Sequence, residues 1–337
     1  MTALQQLPVN INYGEALREG FVYLLEKHPE VFVMGQGLWS PWYVGNSMRD
    51  LDKLFGEERV IDTPVSEAAC TGVAIGASLC GYKVLVVHPR MDFMILATDQ
   101  IVNQGAKWGH MLGGQQFPGV TVRGIINRGG EQGAQHSQAL HSWYAHIPGL
   151  RVVMPYSAQD ACELLVASVL SNDPVLFIDD RWVYDNVSEL TEIRELDLAK
   201  EGPKVIREGS DVTLVGCSYS TLLAERAADQ LAEEGISAEV VDLRILNPLK
   251  PEAVIKSVEK TGNLVVVDGG WRTCGMGGEI IASVMESIEP GQLKSKPRRI
   301  TLPDAPAPTS KPLEKAYYTQ PEDVAEAVRD VLKGCPA

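Results

Sequence analysis

The stretch Arg59-Val-Ile-Asp-Thr-Pro-Val-Ser-Glu67-Ala-Ala-Cys-Thr-Gly-Val-Ala-Ile-Gly76 decides the fold. It reads as a short strand, a sharp Thr63-Pro64 turn and a helix of small residues. Thr63 can cap that helix and Pro64 suits its first turn. Strand, turn and helix form the repeating unit of a parallel sheet covered on both faces, and the unit recurs in both directions from here. Upstream, the spacing predicts a helix over 13–27 and a strand over 31–34 that ends in Gly35-Gln36-Gly37. Downstream it predicts strands over 84–87, 120–126, 151–154 and 175–178, with helices over 66–80, 95–110 and 158–171. Residues 186–204 carry Glu189, Glu192, Glu195, Asp197, Lys200, Glu201 and Lys204 and lose sheet periodicity, which makes them a linker. The same grammar restarts beyond it, with strands at 212–215, 238–241 and 264–267 and helices at 220–235, 251–260 and 322–332. The prediction is an α/β protein of two three-layer α/β/α domains, over 1–185 and 205–337, joined by 186–204. The Pro-rich stretch 303–312 exceeds a plain linker only if it wraps a surface.

Composition narrows the function. The 337 residues are 45% hydrophobic and 22% charged, enough for two buried cores and too apolar for general disorder. A net charge of −14 repels nucleic acid and anionic lipid at long range. Apolar runs such as Lys83 to Val87 fall far short of the roughly 20 residues that span a bilayer, and the N-terminus lacks a basic, apolar signal. The expectation is a soluble cytoplasmic protein without nucleic-acid or membrane partners. Six dispersed cysteines, Cys70, Cys80, Cys162, Cys217, Cys274 and Cys335, suggest reduced and mostly buried thiols. All six histidines lie in the first half.

Glu67 has two readings. One is a carboxylate favoured at a positive helix end. The other is catalytic: crowded by Ala68, Ala69 and Gly72 at a strand-to-helix switch, it can share a proton with a ligand nitrogen. Gly72 and Gly76 leave a groove on one helix face where another backbone can approach. A polar, glycine-bearing loop, Gly133-Ala-Gln135-His136-Ser-Gln138-Ala-Leu-His141, follows an apolar strand, where α/β enzymes place site residues. His141 and His146 read as structural or surface groups. No zinc-ligand spacing is present, and no protein-built metal site is expected. The clusters Gly35-Gln-Gly37 and Cys274-Gly-Met-Gly-Gly278 do not complete a dinucleotide fingerprint, so turns and helix starts explain them better. P-loop and nucleophile-elbow motifs are missing.

Six segments in order carry a resemblance: Val60-Ile-Asp-Thr-Pro-Val-Ser-Glu67, Asp99-Gln-Ile-Val-Asn-Gln-Gly-Ala-Lys107, Gln135-His-Ser-Gln138, Pro148-Gly-Leu-Arg-Val-Val-Met-Pro155, Val241-Asp-Leu-Arg-Ile-Leu-Asn-Pro-Leu249 and Leu313-Glu-Lys-Ala-Tyr317. Through them nearly the whole chain resembles the β subunit of the thiamine-diphosphate-dependent E1 component of 2-oxo acid dehydrogenases, the pyruvate, branched-chain and acetoin group. The resemblance implies a pyrimidine-binding domain followed by a transketolase C-terminal domain. It places Glu67 against N1′ of the aminopyrimidine, where a shared proton favours the imino tautomer that generates the ylid. It makes His136 an active-site histidine near the reacting carbon and Phe93 a candidate for stacking on the pyrimidine, beside the alternative of a plain core aromatic. Gln135 is a candidate substrate contact.

The magnesium and diphosphate motif of such enzymes, Gly-Asp-Gly with a later Asn pair, is missing, and Asp268-Gly269-Gly270 does not replace it. The resemblance therefore implies an α subunit that supplies the Mg2+ ligands and completes an α2β2 heterotetramer, active only when assembled, with a lipoyl-bearing E2 acyltransferase as a further partner. Where relatives often carry aromatics, His88-Pro89-Arg90-Met91 offers a cation. Arg90 can read a carboxylate or phosphate, or simply be solvated, and a substrate other than plain pyruvate is expected. Two other readings stand beside the E1 β subunit. One is the C-terminal half of a split transketolase-like enzyme that moves two-carbon ketol units. The other is a non-catalytic scaffold.

Overall fold

The computed structural model describes residues 6–289 and 291–334. Cys335 lies outside them. The chain divides into two compact units. The first comprises residues up to Asn127, Trp143–Glu201 and Leu246–Pro248, and the second Arg128–Ser142, Gly202–Ile245 and the chain beyond Leu249.

In the first unit the β-branched runs form a seven-stranded sheet. Its order is Ile245–Asn247, Arg151–Val153, Val175–Asp180, Val120–Ile126, Lys83–His88, Val31–Gly35 and Val60–Asp62. The strands from Arg151–Val153 to Val60–Asp62 pair in parallel. Val120–Ile126 and Val175–Asp180 are buried at every residue, as strands covered on both faces must be. The helices Tyr13–Lys27 and Ala158–Leu170 pack on each other, and both are capped as their sequences direct. Asn12 accepts from Glu15 N at 2.9 Å and Ser157 from Asp160 N at 3.1 Å. Leu17, Phe21, Leu24, Leu164 and Leu165 are fully buried, each contributing about 1.5 to 3 kcal/mol. Inside this core sits a charge: the Arg123 guanidinium donates to Asp179 at 2.6 Å, Tyr184 at 2.8 Å and Ser47 at 3.0 Å. Partnering of this kind is what makes a fully buried arginine tolerable.

The second unit has a five-stranded sheet of order Lys204–Arg207, Ala238–Asp242, Val212–Gly216, Leu264–Trp271 and Arg298–Leu302. The first pair is antiparallel and the others parallel. Val212, Leu214, Leu223, Val240, Val265, Val324 and Val328 form its core. The closing helix Pro321–Leu332 starts on a capping box in which Gln320 N donates to Asp323 Oδ2 at 2.7 Å. The Pro-rich stretch does wrap a surface: Ala305 O accepts from Trp271 Nε1 at 3.0 Å and from the Tyr317 hydroxyl at 2.7 Å.

Three local readings differ from the structure. The helix expected over 95–110 is broken into Met91–Met94, a 3-10 turn at Ile95–Ala97, a π turn at Gln100–Gly105 and Ala106–Met111. Ala106 N–H donates to Ile101 O, five residues back. The Ala106 carbonyl is pressed by Gly149, where a Cβ would lie 2.1 Å away at φ +90°; only glycine fits. Second, part of the charged 186–204 stretch is a strand, Val187–Leu190, paired antiparallel with Val9–Asn12. Its alternation was hidden because only Leu190 of the four is buried. Third, Thr63 does not cap the following helix. Its N–H donates to Gly35 O at 2.8 Å, which extends the ladder, and the helix begins at Glu67 behind Ser66. No helix among the described residues is long and apolar enough to cross a membrane.

Candidate active site

Register brings Gly35 level with Asp62 on one side and Val87 on the other. The carboxyl ends of three neighbouring parallel strands therefore finish together, the position where open α/β sheets hold ligands. Leu38 N–H donates to Asp62 Oδ1 at 3.2 Å and orders the Gly-rich turn. From this edge the chain turns through Thr63 to Ser66 into the helix Glu67–Leu79. Glu67 opens that helix, at its positive end, and is 5% exposed. No hydrogen bond or ion pair ties its carboxyl group to another described residue.

One turn further, Thr71 Oγ1 lies 3.0 Å from His88 Nε2, at the end of Lys83–His88. His88 is buried and its Nδ1 has no partner among the described residues. Burial pushes its pKa down to about 4, against the opposing pull of the Glu67 charge. At neutral pH the site thus holds a neutral imidazole beside a carboxyl group whose hydrogen-bonding capacity is unspent. Arg90 follows two residues on, half-buried, with Nη1 enclosed and unpartnered. Asn127 Nδ2 donates to Pro89 O at 2.8 Å and fixes the turn. Phe93, on Met91–Met94, is 39% exposed, so it is not a plain core aromatic.

Gln135 and His136 belong to the second unit. Gln135 is exposed and His136 half-buried. Their loop is anchored along its length. Arg128 Nη1 donates to Gly269 O at 3.2 Å, and Glu131 N–H donates to both oxygens of Glu314 at 3.0 Å. His141 Nε2 meets Asp268 Oδ1 at 2.9 Å, and Met276 N–H donates to Ser142 Oγ at 3.1 Å. Asp268 also accepts from Gly270 N at 2.9 Å and Gly277 N at 3.0 Å. Burial opposes its ionisation, yet His141 and the two amides hold the carboxyl below its usual range. Thus Glu67, His88, Arg90 and Phe93 share the strand ends of the first unit, whereas Gln135 and His136 stand on the second.

Sequence reasoning did not single out His88 as a site group or Asp268 and His141 as a pair. His88 was detectable as the polar residue closing an apolar strand. Nothing in the spacing of 127 positions joins His141 to Asp268. The Gly76 end of this helix face is open among the described residues: nothing stands within 4 Å of a Cβ at Gly76, whereas one at Gly72 would meet Gln100 Cγ at 3.7 Å, and Val73 is exposed. A separate recess of about 680 Å³, lined by Gly105, Gly109, Phe117, Gly149, Arg151 and Asp173 among others, lies at the amino ends of strands, the unproductive end for such a sheet.

Comparison with known proteins gives the family of the chain. Residues 9–185 match the transketolase pyrimidine-binding domain family and residues 203–324 the transketolase C-terminal domain family. The chain is 37% identical to the mitochondrial pyruvate dehydrogenase E1 component subunit beta of Saccharomyces cerevisiae, covering 94% of this chain and 88% of that one. It is 38% identical to subunit beta-1 of Arabidopsis thaliana over 93% and 87%, and 35% identical to the Rhizobium meliloti subunit beta over 94% and 69%. A solved structure titled split gene transketolase, inactive beta4 tetramer, has the same fold, with a TM-score of 0.75, 23% identity, and coverage of 97% of this chain and 100% of that one. The chain belongs to the β-subunit family of thiamine-diphosphate-dependent 2-oxo acid dehydrogenase E1 components, built from two transketolase-type α/β domains.

Proposed function

We propose that this chain, joined to an E1 α subunit in an α2β2 heterotetramer, decarboxylates a 2-oxo acid and passes the acyl group to a lipoyl carrier on an E2 acyltransferase. The observation that carries the reading is the Glu67 carboxyl group: buried at a helix start, beside a neutral imidazole, and without a protein partner. Such a group fits an aminopyrimidine ring nitrogen, with which it would share a proton. Thiamine diphosphate, when bound, supplies the electron sink that makes loss of carbon dioxide feasible. Glu67 holds the proton at the ring nitrogen, and Phe93 offers an aromatic face for the pyrimidine. His88, kept neutral by burial, adds no competing positive charge. His136 orients the substrate and moves protons near the reacting carbon, with Gln135 as a further substrate contact. Arg90 carries an unpartnered N–H, which suits a substrate bearing an additional carboxylate or phosphate.

Among the described residues no group of three or more His, Cys, Asp and Glu could hold a metal ion, and we assign the Mg2+ ligands to the α subunit. The open end of the Glu67 helix face supports an assembled state. Cytoplasmic location is part of the proposal, although the yeast and plant relatives are named mitochondrial. The functional division is a pyrimidine-binding domain over 1–185, a linker over 186–204 and a C-terminal domain over 205–337, and it is supported by matches that end at 185 and resume at 203. The experiment supplies the cognate α subunit, thiamine diphosphate and magnesium and compares acylation of a lipoyl domain with acceptance of an aldose. Lipoyl acylation is the expected result. Aldose acceptance alone would establish a split transketolase, and neither activity would leave a scaffold.

A further inference from the structure

The Pro-rich strap and the short helix behind it touch the His136 loop more closely than a plain linker would. That loop opens on a run of left-handed backbone: Gly129, Gly130 and Glu131 have φ of +74°, +64° and +61°, and Gly133 follows at +73°. Glycine adopts such angles freely, whereas a residue with a Cβ does so only where its surroundings hold it there. Glu131 is that residue. Its N–H is the one gripped by the Glu314 carboxylate, with both oxygens at 3.0 Å.

Glu314 belongs to the helix Lys311–Tyr317 and is buried. A carboxylate in the first turn of a helix is favoured by the helix end alone. That effect does not account for a side chain that spends both oxygens on an amide 183 residues away. The strap meets the loop again at Gly133, where a Cβ would stand 2.8 Å from Thr309 Oγ1. The Gly133 carbonyl in turn accepts from His136 N at 3.3 Å. The strap itself is fastened at the end of the strand Leu264–Trp271. Asp304 accepts from Thr273 N at 3.1 Å and Thr273 Oγ1 at 2.6 Å, and Trp271 Nε1 donates to Ala305 O and to the Tyr317 hydroxyl, each at 3.0 Å. Strand end, strap, Glu314, Glu131, Gly133 and His136 are thus linked within the second unit.

We propose that Glu314 is a positioning residue for His136: it holds Glu131 in the left-handed turn from which the loop sets out, and so fixes where the imidazole stands. This rests on the role proposed for His136 above. A misplacement of about 1 Å can cost roughly a hundredfold in rate, so an anchor at Glu131 bears on turnover although it touches no reacting atom.

The test measures lipoyl acylation by the complex assembled with the cognate α subunit, thiamine diphosphate and magnesium. Glu314→Ala should lower kcat at least about tenfold, with cofactor affinity within about twofold of wild type. Glu314→Gln keeps one acceptor oxygen and should lose about threefold, as for one modest hydrogen bond. Two readouts separate positioning from a merely structural part. Adding Glu131→Gly to Glu314→Ala should restore most of the lost turnover, because glycine takes the left-handed angle unaided. In a His136→Ala background, Glu314→Ala should have no further effect, since it acts through the imidazole. Deuterium uptake of residues 128–138 should rise in Glu314→Ala in either background. Should the alanine variant not assemble, Glu314→Gln runs through the same cycle. Wild-type turnover in His136→Ala would overturn the role of His136 and the positioning role with it. Turnover lost in His136→Ala but kept in Glu314→Ala, or losses that multiply in the double variant, would overturn the positioning role alone.

Discussion

Each unit places a buried carboxyl group where a parallel strand gives way to a turn and a helix, and the two are treated in opposite ways. Asp268 collects three donors, from His141, Gly270 and Gly277, and so joins the 128–142 loop to the start of the helix Met276–Ser287. Glu67 collects none from the described protein. A buried carboxyl group with no donor from the described protein keeps its acceptor positions available to a ligand or to water. The saturated carboxylate joins parts of its unit, and we propose that the unsaturated one serves a ligand. Burial alone would not tell them apart, since both are at most 5% exposed.

Four substitutions or titrations can break or sharpen that contrast. The largest effect is expected from Glu67→Gln, which should lower turnover of the assembled enzyme about 10³-fold or more, within the range of general acid–base contributions. Its unfolding midpoint in urea should hold, because the change is nearly isosteric and breaks no hydrogen bond to another described residue. The mirror experiment is Asp268→Ala, expected to cost about 4 kcal/mol in urea unfolding because it strands a buried partner. If the two variants lost stability equally, the contrast would be gone.

The third expectation concerns pH. His88 is held down to about 4 in the fold, while an unfolded histidine titrates near 6.5. The unfolded chain therefore takes up the proton first, so stability is greatest above about 6.5 and falls by about 3 kcal/mol as pH drops toward 4. Asp268, also depressed, contributes stability that is lost only at more acid pH, below the ordinary carboxylate range. Replacing His88 with Gln should remove the earlier phase of a stability–pH profile and leave the later one. The smallest effect is expected from Arg90→Met, which should shift the kcat/KM ratio between a substrate with an additional anionic group and plain pyruvate by about tenfold, roughly the worth of one charged hydrogen bond. An unchanged ratio would return Arg90 to the status of a solvated residue.

The class of fold was legible in the sequence because buried parallel strands such as Val120–Ile126 are unbroken apolar runs. Helices with strong faces, such as Tyr13–Lys27, were read to the residue. What escaped was either short or long-range. Val187–Leu190 exposes most of its length, and the π turn before Ala106 lies against Gly149, over forty residues away in the chain. That Glu67 opens a helix beyond a strand end was legible from its place after Thr63-Pro64. The pairing of His141 with Asp268 and the depressed basicity of His88 depend on burial created by the whole fold, and no local pattern carries that information.

The most direct measurement of the central claim follows deuterium uptake at the thiazolium C2 position of thiamine diphosphate by NMR in the assembled complex. Wild type should exchange about 10³ times faster than Glu67→Gln, with both variants binding the cofactor. Equal exchange rates would contradict the claim that the free carboxyl group at position 67 exists to share a proton with the ring.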